Sequence, residues 1–173
     1  MDGIRKVLDF WFREDAKAYW FEPDPGFDQS VRKDFAELFA RAATGELKAR
    51  EASPEGCLAL CILLDQMPRN MFRGDARAFA TDDKALAIAE HALAQGYDRD
   101  LGVEQKQFLY LPFMHSEHLP NQLRALALFE SQGMTHNRRY AEQHLALIRR
   151  FGRFPHQRDP RPPRQRGRAA LSE

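Results

Sequence analysis

From Ile4 to Phe151 the apolar residues of this chain return at three- and four-residue steps, and no window alternates apolar with polar. That periodicity is the strongest constraint on what the chain can become. A helix repeats its faces every 3.6 residues and a strand every two, so the pattern excludes a sheet and predicts an all-α protein. Ile4, Val7, Leu8 and Trp11 mark a first helix, and Phe27, Val31, Phe35, Leu38, Phe39 and Ala42 a second that Gly45 stops. Ser53-Pro54 reads as a cap followed by proline at the first helical position. The third helix is expected to end at Pro68, because proline lacks an N–H and collides with the preceding turn. Thr81 is expected to cap a fourth helix, Asp82 to Gln95, with Gly96 after it. A fifth runs from Val103 to Leu111 and is expected to break at Pro112. A sixth covers Leu119 to Gln132 before Gly133, and a seventh Asn137 to Phe151. About seven helices with short connections imply antiparallel neighbours. Ala85-Leu86-Ala87-Ile88 is echoed by Ala125-Leu126-Ala127-Leu128, the texture of stacked helix pairs.

Thirteen Phe, four Tyr and two Trp among 173 residues supply enough aromatic surface for a full core and argue against disorder. Cys57 and Cys61 lie one helical turn apart, which makes no disulfide framework; both read as small buried hydrophobes in a reduced, cytoplasmic setting. Met1 to Phe12 carries Asp2, Arg5, Lys6 and Asp9, unlike a signal peptide. No run approaches the roughly 18 apolar residues of a membrane span. Charge is unevenly placed. Residues 149–173 hold eight Arg and two acids, whereas residues 1–148 hold 18 basic and 23 acidic residues. One domain is expected over 4–156, followed by a basic, Pro/Arg-rich tail at 157–173 that is disordered or frameshifted. Such an arm could reach nucleic acid or an acidic partner, but it interleaves no aromatic on which bases could stack. Nucleic acid is therefore not the expected partner.

Three clusters carry the polar chemistry. In Leu63-Leu64-Asp65-Gln66-Met67-Pro68-Arg69-Asn70-Met71-Phe72-Arg73 an apolar helix runs straight into polar side chains. Buried polar groups must be paired, so Gln66, Arg69, Asn70 and Arg73 either form an anion site or tie the helix end to neighbours through Asp–Arg pairs. In Leu111-Pro112-Phe113-Met114-His115-Ser116-Glu117-His118, His115 could act as a general base oriented by Glu117 or Asp65. Alternatively Ser116 caps the next helix and Glu117 sits in its first turn. His115 and His118 do not have the spacing of a helical zinc motif, and neither metal nor cofactor is expected. In Phe151-Gly152-Arg153-Phe154-Pro155-His156, Arg153 and His156 could complete an anion site or pin the chain end. His144 reads as a satisfied core histidine.

Taken in order, the Leu-Asp-Phe-Trp-Phe start, Trp20-Phe21 before Phe27-Asp28, and the Asp65-Gln66-Met67-Pro68-Arg69-Asn70, His115-Ser116-Glu117 and Gly152-Arg153-Phe154-Pro155-His156 blocks resemble the bacterial family catalogued as domain of unknown function 924. The resemblance covers about residues 4–156. It implies an all-α fold similar to tetratricopeptide-repeat proteins, implies no established activity, and leads us to expect the three blocks to meet in space. The family continues past Pro155-His156 with Arg-Asn, Leu-Gly-Arg and a final helix. Here Gln157-Arg158-Asp159-Pro160-Arg161-Pro162-Pro163 reads as such codons in a shifted frame.

The expectation is thus a binding module for a small anionic ligand or a protein or peptide partner. Its pocket would use Gln66, Arg69, Asn70, Arg73, His115, Arg153 and His156. The alternative is an acid–base or hydrolytic enzyme with His115, Glu117 and Asp65 as candidate catalytic groups.

Overall fold

A computed structural model describes residues 3–155 and residue 157. His156 and the tail beyond Gln157 therefore lie outside the described residues. Among those described there are seven helices and no strand, as the periodicity predicts. The chain divides into two compact units, Met1–Pro112 and Phe113–Glu173, with the boundary inside the fifth helix.

The first unit is organised around one buried helix. Helix α1 (Gly3–Trp11) buries Ile4, Val7, Phe10 and Trp11. Its last carbonyl, Trp11 O, accepts the Trp20 indole N–H at 2.9 Å. Helix α2 (Pro25–Ala43) starts at Asp24, whose carboxylate accepts the Phe27 N–H at 2.8 Å, and has Pro25 at its first position. Helix α3 spans 54–71. Ser53 caps it by accepting the Gly56 N–H at 3.0 Å. Gly56 is required there, since a Cβ would stand 1.8 Å from the Arg50 carbonyl oxygen. From Gly56 to Met71 every α3 residue except Arg69 is buried. A helix apolar all round belongs in a core, with α1, α2 and α4 (Asp82–Ala94) packed against it.

The expected stop at Pro68 does not occur. Residues Ile62–Gln66 form a π turn in which the Met67 N–H donates to the Ile62 carbonyl, five residues back. The wider turn relieves the collision between the Pro68 ring and the Leu64 carbonyl, and the helix continues to Met71. The Leu64 oxygen, to which Pro68 has no N–H to offer, accepts the Thr81 hydroxyl at 2.5 Å. Thr81 thus sits at the N-cap position of α4 as expected, yet its side chain makes no capping bond. Its hydroxyl is spent on α3 instead.

Cys57 and Cys61 are buried and free. Burial raises the Cys57 thiol to about 11 and pushes Cys61 well above its ordinary value, so both behave as apolar side chains. Phe10, Trp11, Trp20, Phe27 and Phe108 make a ring cluster, with Trp20 edge-on to Phe108 at 4.8 Å between centroids. Helix α5 (Val103–Met114) carries Pro112 inside it, so this second expected break is also absent.

The second unit pairs α6 (Leu119–Ser131) with α7 (Thr135–Phe151). Gly133, at φ +65°, takes the left-handed turn between them. The buried residues are Gln122, Ala125 and Phe129 on α6 and Ala141, Leu145 and Ile148 on α7. Gln122 is fully buried, and its amide donates to the Met114 and Ser116 carbonyls at 2.6 Å each. It thereby closes the end of α5. Gly152, at φ +70°, ends α7.

Candidate functional site

The two units hold two different kinds of polar cluster. In the first unit, the 65–73 block emerges from the π turn with its polar groups already engaged. Asp65 is fully buried and accepts the Gln66 amide at 2.8 Å. Arg69 lies 3.5 Å from Asp65 Oδ1 and reaches the first turn of α4, where it clamps Asp82 with two bonds of 2.8 and 3.0 Å. Its Nη1 also donates to the Asp65 carbonyl at 2.5 Å, a carbonyl within the π turn. Burial alone would lower the Arg69 pKa, but the charges of Asp65 and Asp82 outweigh it and raise the pKa above the ordinary value.

One turn on, Asn70 donates to Asp28 Oδ1 at 2.9 Å, and Arg73 grips both Asp28 oxygens at 2.8 and 3.0 Å. Burial would raise the Asp28 carboxyl, but the hydrogen bonds from Arg73 and Asn70 prevail and hold it below the usual carboxylate range. The same bonds raise the Arg73 pKa. Arg32 donates twice to the Met71 carbonyl, at 3.2 and 3.0 Å, and closes the C-terminal end of α3. Of the two sequence readings of this block, the structure contains the Asp–Arg pairs. They fasten α3 to α2 through Asp28 and to α4 through Asp82.

In the second unit, the His115-Ser116-Glu117 and Gly152-Arg153-Phe154 blocks come together. Glu117 Oε1 accepts the Phe154 N–H at 3.1 Å. The His115 and His144 rings stand 6.1 Å apart, and His144 meets the Phe154 ring edge-on at 5.3 Å. Phe154 is buried, whereas His115, His144 and Arg153 are half-buried at the rim. His144 is therefore not the core histidine expected; its Nδ1 lies 2.8 Å from the Tyr140 carbonyl one turn back.

The capping reading of Ser116 and Glu117 is also displaced. Helix α6 starts after His118. Ser116 Oγ accepts from the His118 N–H and the Asn121 amide, at 3.2 and 3.0 Å. Glu117 holds the chain segment after α7, not the helix dipole. Arg153 differs from every other arginine of the three blocks. Its Nε is buried and has no hydrogen-bond partner among the described residues. No group of three metal-ligating side chains occurs among the described residues.

Sequence reasoning gave four residues that organise these clusters no part in them. Asp28 and Asp82 lie 42 and 13 residues from the groups they bind. Asp28 stands next to Phe27 in an ordinary amphipathic helix, and Asp82 looks like a first-turn acid. Gln122 and His144 likewise sit within unremarkable helical patterns.

These blocks can be set against known proteins. The pattern of a family described as bacterial protein of unknown function, DUF924, matches residues 7–161. The chain belongs to this family. A solved structure from Agrobacterium tumefaciens, itself a protein of unknown function, is similar over 89% of this chain and 86% of its own, with 38% identity and a TM-score of 0.84. No curated protein matches the chain. Neither similarity names a tetratricopeptide relationship.

Proposed function

We propose that this DUF924 protein is a binding module for a small ligand bearing an anionic group, taken up in the second unit between the 115–117 and 152–154 blocks. One observation carries the reading: the buried, unpartnered Nε of Arg153. Burying a charged donor without a partner costs free energy, and a chain keeps such a group where something else completes it. A carboxylate or phosphate suits a guanidinium, which offers planar, paired donors. His115 and His144 border the same segment. Glu117 fixes the Phe154 backbone and so positions Arg153.

In this reading Gln66, Arg69, Asn70 and Arg73 hold helices rather than ligand, because their donors are already bonded to Asp65, Asp82 and Asp28. His156 keeps its candidate role from the sequence. The same reading places the protein in the cytoplasm, where thiols such as Cys57 and Cys61 remain reduced.

Thermal unfolding in the presence of inorganic phosphate, citrate or a set of phosphorylated and carboxylated metabolites tests this. A ligand that binds only the native state raises the melting temperature with concentration. The proposal expects a rise for at least one compound with the wild type and with Arg69→Lys, and none with Arg153→Ala. No rise with any anion, or an equal rise in Arg153→Ala, overturns it.

A further inference from the structure

Arg153 is not alone in keeping a buried polar atom unpaired. Gln122 of α6 is fully buried, and its Oε1 accepts no hydrogen bond from any described residue. The other half of the amide fixes which atom this is. The amide nitrogen donates to two carbonyls, Met114 O and Ser116 O, at 2.6 Å each. Only the NH2 end can do so, which leaves the oxygen turned away from both. Buried acceptors are paired in the great majority of cases, and one left over calls for a donor that the chain itself does not supply.

The unpaired acceptor and the unpaired donor belong to one ring of contacts, all within the second unit. Met114 and Ser116, which the Gln122 amide grips, flank His115 in the sequence. Glu117 follows at once and accepts the Phe154 N–H at 3.1 Å, next to Arg153. The Phe154 ring meets His144 at 5.3 Å, and His144 stands 6.1 Å from His115. The ring so returns to the residue whose two neighbours Gln122 holds. Gln122 joins it from α6 with an acceptor to spare, and Arg153 joins it from the 152–154 block with a donor to spare.

Two complementary atoms ask for a ligand with two complementary groups. The guanidinium takes an anion. The amide oxygen takes an O–H or an N–H. Charge argues against an ammonium, which would shed its water for one neutral, fully buried oxygen in a site that already holds a cationic arginine. A hydroxyl carries no such cost. Building on the reading of Arg153 above, we propose that the ligand is a small hydroxy-anion: its carboxylate or phosphate meets Arg153, and its hydroxyl donates to Gln122 Oε1. Gln122 then sets specificity, because a buried acceptor built for a hydroxyl penalises the analogue that lacks one.

Calorimetric titration of the full chain with matched pairs tests this. Glycolate is set against acetate, 3-hydroxypropionate against propionate, 4-hydroxybutyrate against butyrate, and glycerol 3-phosphate against propyl phosphate. The pairs vary the reach from hydroxyl to anion and the kind of anion. In at least one, the hydroxylated member is expected to bind roughly tenfold or more tightly than its partner. Glycine, β-alanine and 4-aminobutyrate put an ammonium where the hydroxyl was, and should bind no more tightly than the unsubstituted acids. Gln122→Met keeps an unbranched side chain and should abolish the difference within the pair while both members still bind. It also releases the 114–116 carbonyls, so the wild-type pairs decide the matter where that variant does not fold. Equal affinity within every pair overturns the proposal and leaves the Arg153 reading standing. So does a preference that survives in folded Gln122→Met, or an amino acid that outbinds its hydroxylated counterpart. Failure of every anion to bind overturns the Arg153 reading along with it.

Discussion

The block around residues 65–73 and the block around residues 115–154 carry similar side chains and end in opposite states. Arg69 and Arg73 are each clamped by a carboxylate through two hydrogen bonds. Arg153 keeps a buried donor unpaired. The difference lies in what each block faces. Helix α3 is wrapped by other helices, so any polar group it carries must be answered from within the protein. Asp28 and Asp82 supply the answer. The segment after α7 lies at a half-buried rim, where Glu117 accepts its backbone and leaves the arginine free of an acid. A motif rich in arginine therefore says little by itself about ligands. Whether each guanidinium is neutralised in place decides what it is for.

That contrast predicts very different costs for removing each arginine. Arg69→Ala should cost most. It strips the cation from beside Asp65, which is fully buried, and from Asp82. Breaking a buried pair by removing one partner typically costs about 3–5 kcal/mol. Chemical denaturation of wild type and variant measures it. A loss below about 1 kcal/mol, the scale of an exposed pair, would show that the Arg69 network holds nothing together and would blur the distinction.

Asp28→Asn should cost less, because the Arg73 side chain is 44% exposed and water screens part of the pair. A loss of about 1–2 kcal/mol is expected at neutral pH, the upper part of the range for a hydrogen bond to a charged group after that discount. The effect depends on pH in a definite sense. The folded Asp28 carboxyl titrates below its ordinary value of 3.8. Its contribution is fully present above that ordinary value and is lost as pH falls through the folded value. The gap between wild type and Asp28→Asn should therefore be constant at neutral pH and narrow below about pH 3.8. A gap that stays constant into strong acid would show that the charge of Asp28 contributes nothing.

Thr81→Val isolates the link between the proline and the network. It keeps the shape and removes the hydroxyl that donates to the Leu64 carbonyl, to which Pro68 has no N–H to offer. A buried acceptor left unsatisfied costs about 1–3 kcal/mol, so a loss near the lower end is expected by thermal or urea unfolding. No loss would mean that the π turn finds another donor, or that it regularises when Thr81 is absent.

Much of this architecture was legible because local signals were unopposed. Ser53, Gly45, Gly96 and Gly133 mark helix ends by their own chemistry, and the structure uses each of them there. The two prolines were misread for a shared reason. Pro68 and Pro112 are helix breakers when judged locally, yet both lie inside helices. At Pro68 a π turn and a hydroxyl from 17 residues away for the freed carbonyl remove the objection. Neither is visible in a window of neighbouring residues. The site shows the same limit. The sequence located the blocks and posed the choice between pairing and ligand, but the choice was made by Asp28, Asp82 and Phe154, whose nearness is a property of packing. Glu117 illustrates it sharply. Its position suits a helix first turn, and it instead serves an amide 37 residues downstream.

The smallest expected effect is the sharpest test of the contrast. Arg153→Ala removes a guanidinium that no described acid neutralises, so it breaks no pair. It also relieves the desolvation of the buried Nε. The two consequences point the same way, and the folding free energy should change by no more than about 0.5 kcal/mol, the scale of a substitution away from any special feature. Some packing of the aliphatic stem is lost, which sets the size of the remaining cost. The variant should retain the helical spectrum and the cooperative unfolding of the wild type while losing any melting-temperature increase produced by phosphate or carboxylate ligands. Stability intact and anion response absent is a combination that a purely structural arginine does not give. Should Arg153→Ala cost as much as Arg69→Ala, the guanidinium is holding the chain end in place, and the two blocks differ only in how their arginines are paired.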